Sequence, residues 1–214
     1  MHTEIVDLSC QLEEICRFCM PPEKERIIYE SPNFYVMVSL GPIVEGYLLL
    51  VSKKHFGACL QIPPILIKEF DELKEQIREI LVQVYGCCIF YEHGKTGSCL
   101  STGKDHRHCF HAHLHCIPAS TQLNEIVEKE MHGKCFPNIQ LCRKEMTDVE
   151  RYLYIEDDRI MTYEPKENLR SQYLRYKLAT SIGEEEKWDW VNHQNWPLIE
   201  KSIKRLKPYF YGTR

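Results

Sequence analysis

The segment HCFHAHLHCIP, residues 108–118, constrains the fold more strongly than any other part of the chain. Its histidines His111, His113 and His115 alternate with small or apolar residues. Because successive side chains of a β-strand point to opposite faces, this spacing predicts a strand that carries three imidazoles on one face. The residues predicted to face the core from the other side are Phe110, Ala112, Leu114 and Cys116.

Three kinds of role are open to such a row of imidazoles. The histidines could be incidental on a half-exposed strand, or His-x-His with a third histidine could hold a catalytic metal ion. Alternatively, one histidine could attack phosphorus while its neighbour hydrogen-bonds the leaving oxygen. The preceding HGKTGSCLSTGK is a Gly-, Ser- and Lys-rich loop, and such a loop offers backbone N–H groups and lysines to phosphates.

Composition narrows the functional classes. The chain has 214 residues, 43% of them hydrophobic, and a formal net charge of −4. This length supports one domain, or one domain with a substantial extension. The charge argues against bulk nucleic-acid binding. We expect no membrane association and a cytoplasmic location, since no apolar run approaches a membrane span and the N-terminus lacks a signal-peptide profile.

The cysteines indicate thiols rather than a disulfide framework. There are eleven, an odd number, and Cys87 and Cys88 are adjacent. A charged chain of this length does not need disulfides to fold, so we expect reduced thiols, some of them metal ligands. Cys16 and Cys19 form a Cys-x-x-Cys pair, which is the spacing of a metal-binding turn.

Strand and helix patterns are segregated along the chain rather than alternating, which predicts an α+β fold with an antiparallel sheet. The clearest helix is predicted to begin near Pro63 and Pro64 and to end at Gly86. The pattern changes after residue 120, where a helix, a hairpin turning at Asp157-Asp158 and further helices are predicted. We therefore divide the chain into a domain at 1–120 and an extension at 121–214 that packs on it.

Several of these segments together resemble one family. HAHLHCI resembles the His-φ-His-φ-His-φ-φ signature of the histidine triad (HIT) superfamily of nucleotide hydrolases and transferases, where φ is an apolar residue. CRFC, EGYLLLVSKKH and FYEHG follow the order of three other blocks of that family, so the resemblance covers residues 12–120. It implies a HIT-like antiparallel sheet of about five strands with a long helix. It also implies hydrolysis or transfer at the α-phosphate of a nucleotide conjugate.

The resemblance also implies residue roles. In the zinc-containing branch, a structural Zn²⁺ would be held by Cys16, Cys19, His55 and His111. His113 would be the nucleophile and would form a covalent nucleotidyl–imidazole intermediate. His115 would hydrogen-bond the phosphate oxygens or assist the leaving group. A backbone carbonyl or a neighbouring side chain is expected to hold His113 in the productive tautomer.

The chain departs from the family pattern around the nucleotide. Tyr47 stands where many members have histidine, and Ser39 stands where an acidic residue usually meets the ribose. Glu92 replaces an asparagine and suits a sugar hydroxyl, an amine or a cation better than a phosphate. The predicted nucleotide contacts are Ser39, Glu92, Gly94, Arg107 and His108, although the last two could instead be solvated loop residues. An alternative function is a non-catalytic, zinc-stabilised module that binds nucleotides or RNA ends.

The segment NLRSQYLRYKLATSIG, followed by KWDW, resembles the C-terminal segment of CwfJ-type proteins through Gln172, Arg175, Trp188 and Trp190. Either Gln172 or Arg175 reaches the nucleotide pocket, or the helix supplies only core residues and Arg175 lies on the surface; we favour the second interpretation. The extension could cover the surface on which short family members dimerise. A homodimer is therefore possible but not assumed.

Overall fold

The computed structural model describes residues 16–95, 110–166 and 169–212. The strands are β1 (Ile27–Glu30), β2 (Phe34–Val38), β3 (Leu48–Ser52), β4 (Ile89–Gly94), β5 (His113–Ile117), β6 (Gly133–Phe136), β7 (Tyr152–Glu156) and β8 (Ile160–Tyr163). The α-helices are α1 (Pro64–Tyr85), α2 (Leu123–Glu128), α3 (Ile139–Met146), α4 (Tyr173–Ser181) and α5 (Trp196–Gly212). The predicted α+β class is confirmed.

All eight strands belong to one antiparallel sheet in the order β1-β2-β3-β5-β4-β7-β8-β6. The predicted count of about five strands is therefore wrong. The first five strands of the chain are neighbours at one side of the sheet, and the later strands continue it through pairing of β4 with β7 from Phe90↔Glu156 to Gly94↔Tyr152. This pairing satisfies backbone groups that β4 would otherwise expose at an edge. The division at residue 120 remains a prediction.

Helix α1 follows its sequence signals closely. Pro64 is its first residue, and Gly86 caps its end with a φ of 86°, a left-handed conformation that glycine adopts without strain. Its buried stripe, spaced at three and four residues, consists of Phe70, Leu73, Lys74, Ile77, Ile80 and Leu81. The predicted start and end of this helix are confirmed.

Both faces of the sheet are buried, which explains why every residue of β2 and β3 is buried. We call the two sides the α1 face and the histidine face. The α1 face packs against α1 and α5 and contains Phe34, Val36, Leu50, Leu114, Cys116, Ile199 and Leu206. The histidine face packs against α2 and α4 and contains Tyr35, Tyr47, Leu49, Tyr91, Leu123, Val127, Leu174 and Leu178.

Strand β5 separates the two faces as predicted for Leu114 and Cys116, which lie in the core under α1. The prediction that Phe110 is a core residue is wrong, because this side chain is 39% exposed. The strand begins only at His113, so its alternation does not extend back to residue 110. Among the described helices, none is long and apolar enough to cross a membrane.

Candidate functional site

Four potential metal ligands converge at the start of β5. The side chains of Cys16, Cys19, His55 and His111 each offer a ligand atom, and these atoms all lie within 4.8 Å of one another. His55 follows β3 and His111 precedes β5, and these two strands are paired, with Val51 opposite His113. The sheet therefore brings together two ligands that are 56 residues apart in sequence.

The separations of the ligand atoms fit a single tetrahedral ion. Sγ of Cys16 lies 3.4 Å from Nδ1 of His111, Sγ of Cys19 lies 3.3 Å from Nδ1 of His55, and the two Nδ1 atoms are 3.2 Å apart. A tetrahedral centre with ordinary zinc–sulfur and zinc–nitrogen distances requires roughly 3.5 Å between S and N and roughly 3.3 Å between two N atoms. The four residues could therefore hold a metal ion.

Ser52 fixes the orientation of His111. Nε2 of His111 lies 2.7 Å from the carbonyl oxygen of Ser52. Since a carbonyl only accepts hydrogen bonds, Nε2 must carry the proton, and the lone pair of Nδ1 points to the other three ligands. Ser52 was not among the predicted site residues, since a serine at the end of a strand gives no signal of this role.

His113 is held in the opposite tautomer. Its Nδ1 donates a hydrogen bond of 2.6 Å to the backbone carbonyl of His111, which leaves an unprotonated Nε2. Burial lowers the pKa of His113 to about 4, so the ring is neutral near pH 7. The expected backbone carbonyl is therefore present. The ring of Phe18 stacks on His113 with the centroids 4.5 Å apart, a contact that the sequence did not suggest.

His115 contacts two tyrosines on the histidine face. Its Nδ1 lies 2.8 Å from the hydroxyl of Tyr47, which in turn hydrogen-bonds the hydroxyl of Tyr91. The Tyr91 ring also stacks on His115 at a centroid distance of 4.4 Å. Burial lowers the pKa of His115 well below its usual value. The rings of His113 and His115 are 4.9 Å apart, so the two imidazoles are neighbours.

His93 adds a fourth imidazole to this face. Its Nε2 accepts a hydrogen bond of 3.0 Å from the backbone N–H of Leu174, and burial lowers its pKa to about 3. Tyr91 and His93 were missed as site residues. Their alternation along β4 was a usable signal, because Tyr91 pairs with His115 in the neighbouring strand.

Arg175 is deeply buried, so the favoured interpretation that placed it on the surface is wrong. Its guanidinium lies 5.2 Å from the centre of the Tyr47 ring and donates hydrogen bonds to the carbonyls of Gly41 and Trp188. Only 3% of the residue is exposed. Leu174 and Leu178 of the same helix are core residues, as predicted. The helix therefore contributes both core packing and a cation beside the histidine face.

Glu92 lies on the α1 face, away from the histidines, and this corrects its prediction as a nucleotide contact. One carboxylate oxygen accepts a hydrogen bond of 2.7 Å from the backbone N–H of Cys59. The other accepts a hydrogen bond of 2.7 Å from the hydroxyl of Tyr152. The reason is the strand period: Tyr91 and His93 face the histidine side, so Glu92 between them cannot.

A pH-dependent contribution to stability follows for Glu92. Burial raises the pKa of this carboxyl to about 6 from its ordinary value of about 4.5. Because the folded protein binds the proton more tightly, this group's contribution is greatest at low pH and is lost as the pH rises from about 4.5 to 6. Urea unfolding should show wild type losing about 2 kcal/mol relative to Glu92→Gln between pH 4 and pH 7. A difference in the free energy of unfolding between the two proteins that does not change with pH would contradict this prediction.

An added Cβ atom at Gly94 would point to the α1 face, whereas a glycine would contact a nucleotide through its backbone, so the predicted nucleotide contact of Gly94 stays a prediction. A Cβ atom at this position would lie 2.2 Å from a carbon of the Tyr152 ring. The ring cannot yield easily, because its hydroxyl is bound to Glu92 and to the backbone N–H of Leu60. Glycine is therefore required here for packing.

Gly94→Ala is expected to lower the free energy of unfolding by about 1–3 kcal/mol through this steric conflict. The measurement is urea denaturation monitored by circular dichroism. Gly212→Ala is the matched control, since nothing lies within 4 Å of a Cβ atom at Gly212. Equal stability of the two variants would show that the Tyr152 ring moves aside without cost.

The other predicted nucleotide contacts remain predictions. Ser39 donates its backbone N–H to the carbonyl of Tyr47, at 2.9 Å, and its alternation with Met37 places it on the histidine face. Its hydroxyl contacts the carbonyl of Leu40 at 3.3 Å. Arg107 and His108 lie outside the described residues, as does most of the Gly-rich loop.

Comparison with known proteins places the similarity in the part of the chain that holds this site. A family model described as "Protein similar to CwfJ C-terminal" matches residues 7–132, which is more than half of the chain. A search of curated proteins gave no match.

Three solved structures are similar to the chain. A HIT-like protein involved in cell-cycle regulation from Bartonella henselae is 16% identical, with 44% of this chain and 65% of that chain covered and a TM-score of 0.34. A hypothetical histidine triad nucleotide-binding protein from Sulfolobus tokodaii is 16% identical, with 93% and 99% covered and a TM-score of 0.37. Yeast Ap4A phosphorylase in complex with AMP is 12% identical, with 87% and 80% covered and a TM-score of 0.42.

The family match does not fall where the sequence analysis placed the resemblance to CwfJ-type proteins. It ends at residue 132, before Gln172 and Arg175, so the resemblance of the later segment remains a prediction. The matched region instead contains the Cys-x-x-Cys pair, His55 and the three alternating histidines. The chain belongs to the family of proteins similar to the CwfJ C-terminal region.

Proposed function

We propose that this protein is a nucleotide-conjugate hydrolase or nucleotidyltransferase that acts at the α-phosphate through a covalent nucleotidyl–His113 intermediate. The observation that carries the proposal is the hydrogen bond of 2.6 Å from Nδ1 of His113 to the carbonyl of His111. It leaves Nε2 with the free electron pair that a nucleophile needs. The triad motif and its HIT resemblance support the same assignment.

The reaction consists of two displacements at phosphorus. Nε2 of His113 attacks the α-phosphorus, a P–N bond forms, and the bond to the leaving group breaks with the electron pair going to that group. The positive charge on the nucleotidylated ring is stabilised by the His111 carbonyl, which keeps the hydrogen bond from Nδ1. Water, which loses a proton to the solvent, or another acceptor such as phosphate then attacks phosphorus, the P–N bond breaks, and its electron pair returns to Nε2.

We assign structural Zn²⁺ to the group formed by Cys16, Cys19, His55 and His111. Two thiolates and two imidazoles form a closed tetrahedral set, which suits a structural rather than a catalytic ion. When bound, the ion would supply a rigid link between the N-terminal segment and the sheet. Its functional importance would come from His111, because the backbone carbonyl of this ligand is also the acceptor that orients His113.

His115 lies beside His113 and donates a hydrogen bond to the phosphate oxygens, while Ser39, Gly94, Arg107 and His108 are proposed nucleotide contacts. A cytoplasmic location follows from the need to keep the ligand thiols reduced. A homodimer, which the C-terminal extension could prevent, is not assumed.

One observation favours the alternative function of a binding module without turnover. Phe18 stacks on the His113 ring, and His115 is only 6% exposed. A substrate must therefore displace Phe18 or approach His113 from another side. A protein that binds nucleotides without turnover would not require direct access of a phosphorus atom to the His113 ring.

Turnover decides between the two functions. The purified zinc-loaded protein is incubated with dinucleoside polyphosphates, nucleotide sugars, adenosine phosphoramidates and aminoacyl adenylates, and products are resolved by chromatography. We expect release of a nucleoside monophosphate, or its transfer to added phosphate, from at least one class. Saturable binding of these compounds without any product would support the binding module instead.

A further inference from the structure

A chain of buried hydroxyl groups ends on His115. The hydroxyls of Tyr47 and Tyr91 share a hydrogen bond, and the Tyr47 hydroxyl also lies 2.8 Å from Nδ1 of His115. Both tyrosines are 0% exposed. Water therefore cannot supply missing hydrogen-bond partners, and the protons of this chain must be distributed among its own members.

Only one distribution gives every hydroxyl proton an acceptor. If Tyr47 donates to Nδ1 of His115, Tyr91 can donate to the oxygen of Tyr47, and both protons are used. In the reverse arrangement, Nδ1 donates to Tyr47 and Tyr47 donates to Tyr91. The Tyr91 proton would then have no acceptor among the described residues, and burying an unsatisfied donor is unfavourable. The first arrangement puts the proton of His115 on Nε2.

The same matching of buried protons to acceptors disfavours a doubly protonated His115. An imidazolium would carry a proton on Nδ1, which forces the reverse arrangement and leaves the Tyr91 proton unsatisfied. The guanidinium of Arg175, 5.2 Å from the centre of the Tyr47 ring, adds a buried positive charge on this side. The ring of His93, in strand β4, lies 6.4 Å from the ring of His115. Its Nε2 accepts a hydrogen bond from the backbone N–H of Leu174.

We propose that Tyr47 and Tyr91 are positioning residues that lock His115 as a neutral donor through Nε2–H. This inference rests on the proposed function and adds a limit on its substrate. A neutral imidazole can stabilise negative charge by a hydrogen bond, but it cannot give up its proton readily. The leaving group must therefore depart as a stable anion, such as a phosphate or polyphosphate, rather than as an alcohol or amine that needs a proton.

The tautomer can be read directly by ¹⁵N nuclear magnetic resonance of histidine-labelled protein loaded with zinc. We expect His115, assigned with a His115→Gln variant, to show Nε2 protonated and Nδ1 unprotonated from pH 6 to 8. In Tyr47→Phe this signature should change to a mixture of tautomers or protonated states. Tyr163→Phe is the control: it removes another buried hydroxyl, one bound to Asn124, and should leave His115 unchanged.

Two results would overturn the proposal that Tyr47 and Tyr91 keep His115 neutral with its proton on Nε2. One is Nδ1 protonation of His115 in the wild-type protein, and the other is an unchanged His115 spectrum in Tyr47→Phe. If Tyr47→Phe does not fold, Tyr91→Phe tests the same proton arrangement, because the reverse arrangement would then leave the Tyr47 proton without its acceptor, and His115 should keep its proton on Nε2. Protonation of Nδ1 of His115 in that variant would count equally against the proposal.

Kinetics test the leaving-group limit separately. Wild type should process a diadenosine polyphosphate at least tenfold faster, in kcat/KM, than an adenosine phosphoramidate with an alkylamine leaving group. Tyr47→Phe should reduce the rate with the polyphosphate roughly tenfold, as expected for a misplaced donor. A faster reaction of the phosphoramidate in wild type would overturn this limit. Absence of a His113 adduct with both substrates would instead refute the proposed function, while the spectrum still reports on the lock.

Discussion

His113→Ala is expected to lower kcat/KM by about 10⁴-fold or more, the scale seen when a covalent nucleophile is removed. The variant loses the ring whose Nδ1 donates to the carbonyl of His111 and whose Nε2 is left free for attack. Substrate binding should change far less, because the phosphate contacts proposed for His115 and the neighbouring loop remain. The measurement is steady-state turnover of the best substrate, together with a direct binding titration.

His132→Ala provides the matched control, since His132 is exposed and lies outside the site. It should retain wild-type kcat/KM and the same thermal stability. A His113→Ala protein that is folded, binds zinc and still turns over at a rate within tenfold of wild type would remove His113 as the nucleophile.

Cys16→Ser is expected to abolish high-affinity zinc binding and to reduce folding stability severely. Structural zinc sites contribute about 10–16 kcal/mol of apparent binding free energy in small peptides, and that energy is coupled to folding. Serine is a poor replacement, because a hydroxyl does not form the thiolate that this site uses. Cys16 is buried and 3.4 Å from Nδ1 of His111, so loss of the ion would also release the residue whose carbonyl orients His113.

The zinc content of wild type and Cys16→Ser is compared by elemental analysis of the purified proteins, and their stability is compared by thermal unfolding. Wild type should contain one zinc per chain, and Cys16→Ser should contain almost none and melt well below it. Cys135→Ser is the matched control, because Cys135 is exposed on β6 and distant from the ligand group in the sheet. A Cys16→Ser protein that keeps one zinc and its melting temperature would show that the ion is held elsewhere.

Local rules predicted those parts of the fold that depend on neighbours in sequence. Helix α1 begins at Pro64 because proline lacks an N–H group that the first helical turn does not need. It ends at Gly86 because glycine tolerates a positive φ. The alternation of His113, Leu114 and His115 assigned them to opposite faces because side chains of a strand alternate. The convergence of the four metal ligands was implied by the family resemblance and agrees with the geometry.

Non-local features could not be predicted in this way. The pairing of β4 with β7 joins segments about sixty residues apart, and no local pattern shows which edge a later hairpin will join. The error at Glu92 has the same origin: its family position suggested the nucleotide, whereas strand alternation turns it toward Tyr152. Arg175 was misplaced because an arginine on a helix is usually exposed, and one of its carbonyl acceptors, that of Gly41, is 134 residues away in the sequence.

The most direct test of the account is localisation of the covalent intermediate in the wild-type, zinc-loaded protein. The enzyme is mixed with substrate, quenched within milliseconds at alkaline pH to preserve a phosphorus–nitrogen bond, digested, and sequenced by mass spectrometry. We predict a nucleotidyl group on His113 and unmodified His111 and His115. A nucleotidyl group on any other residue, or coordination of a metal ion by His113 in the active protein, would contradict the account.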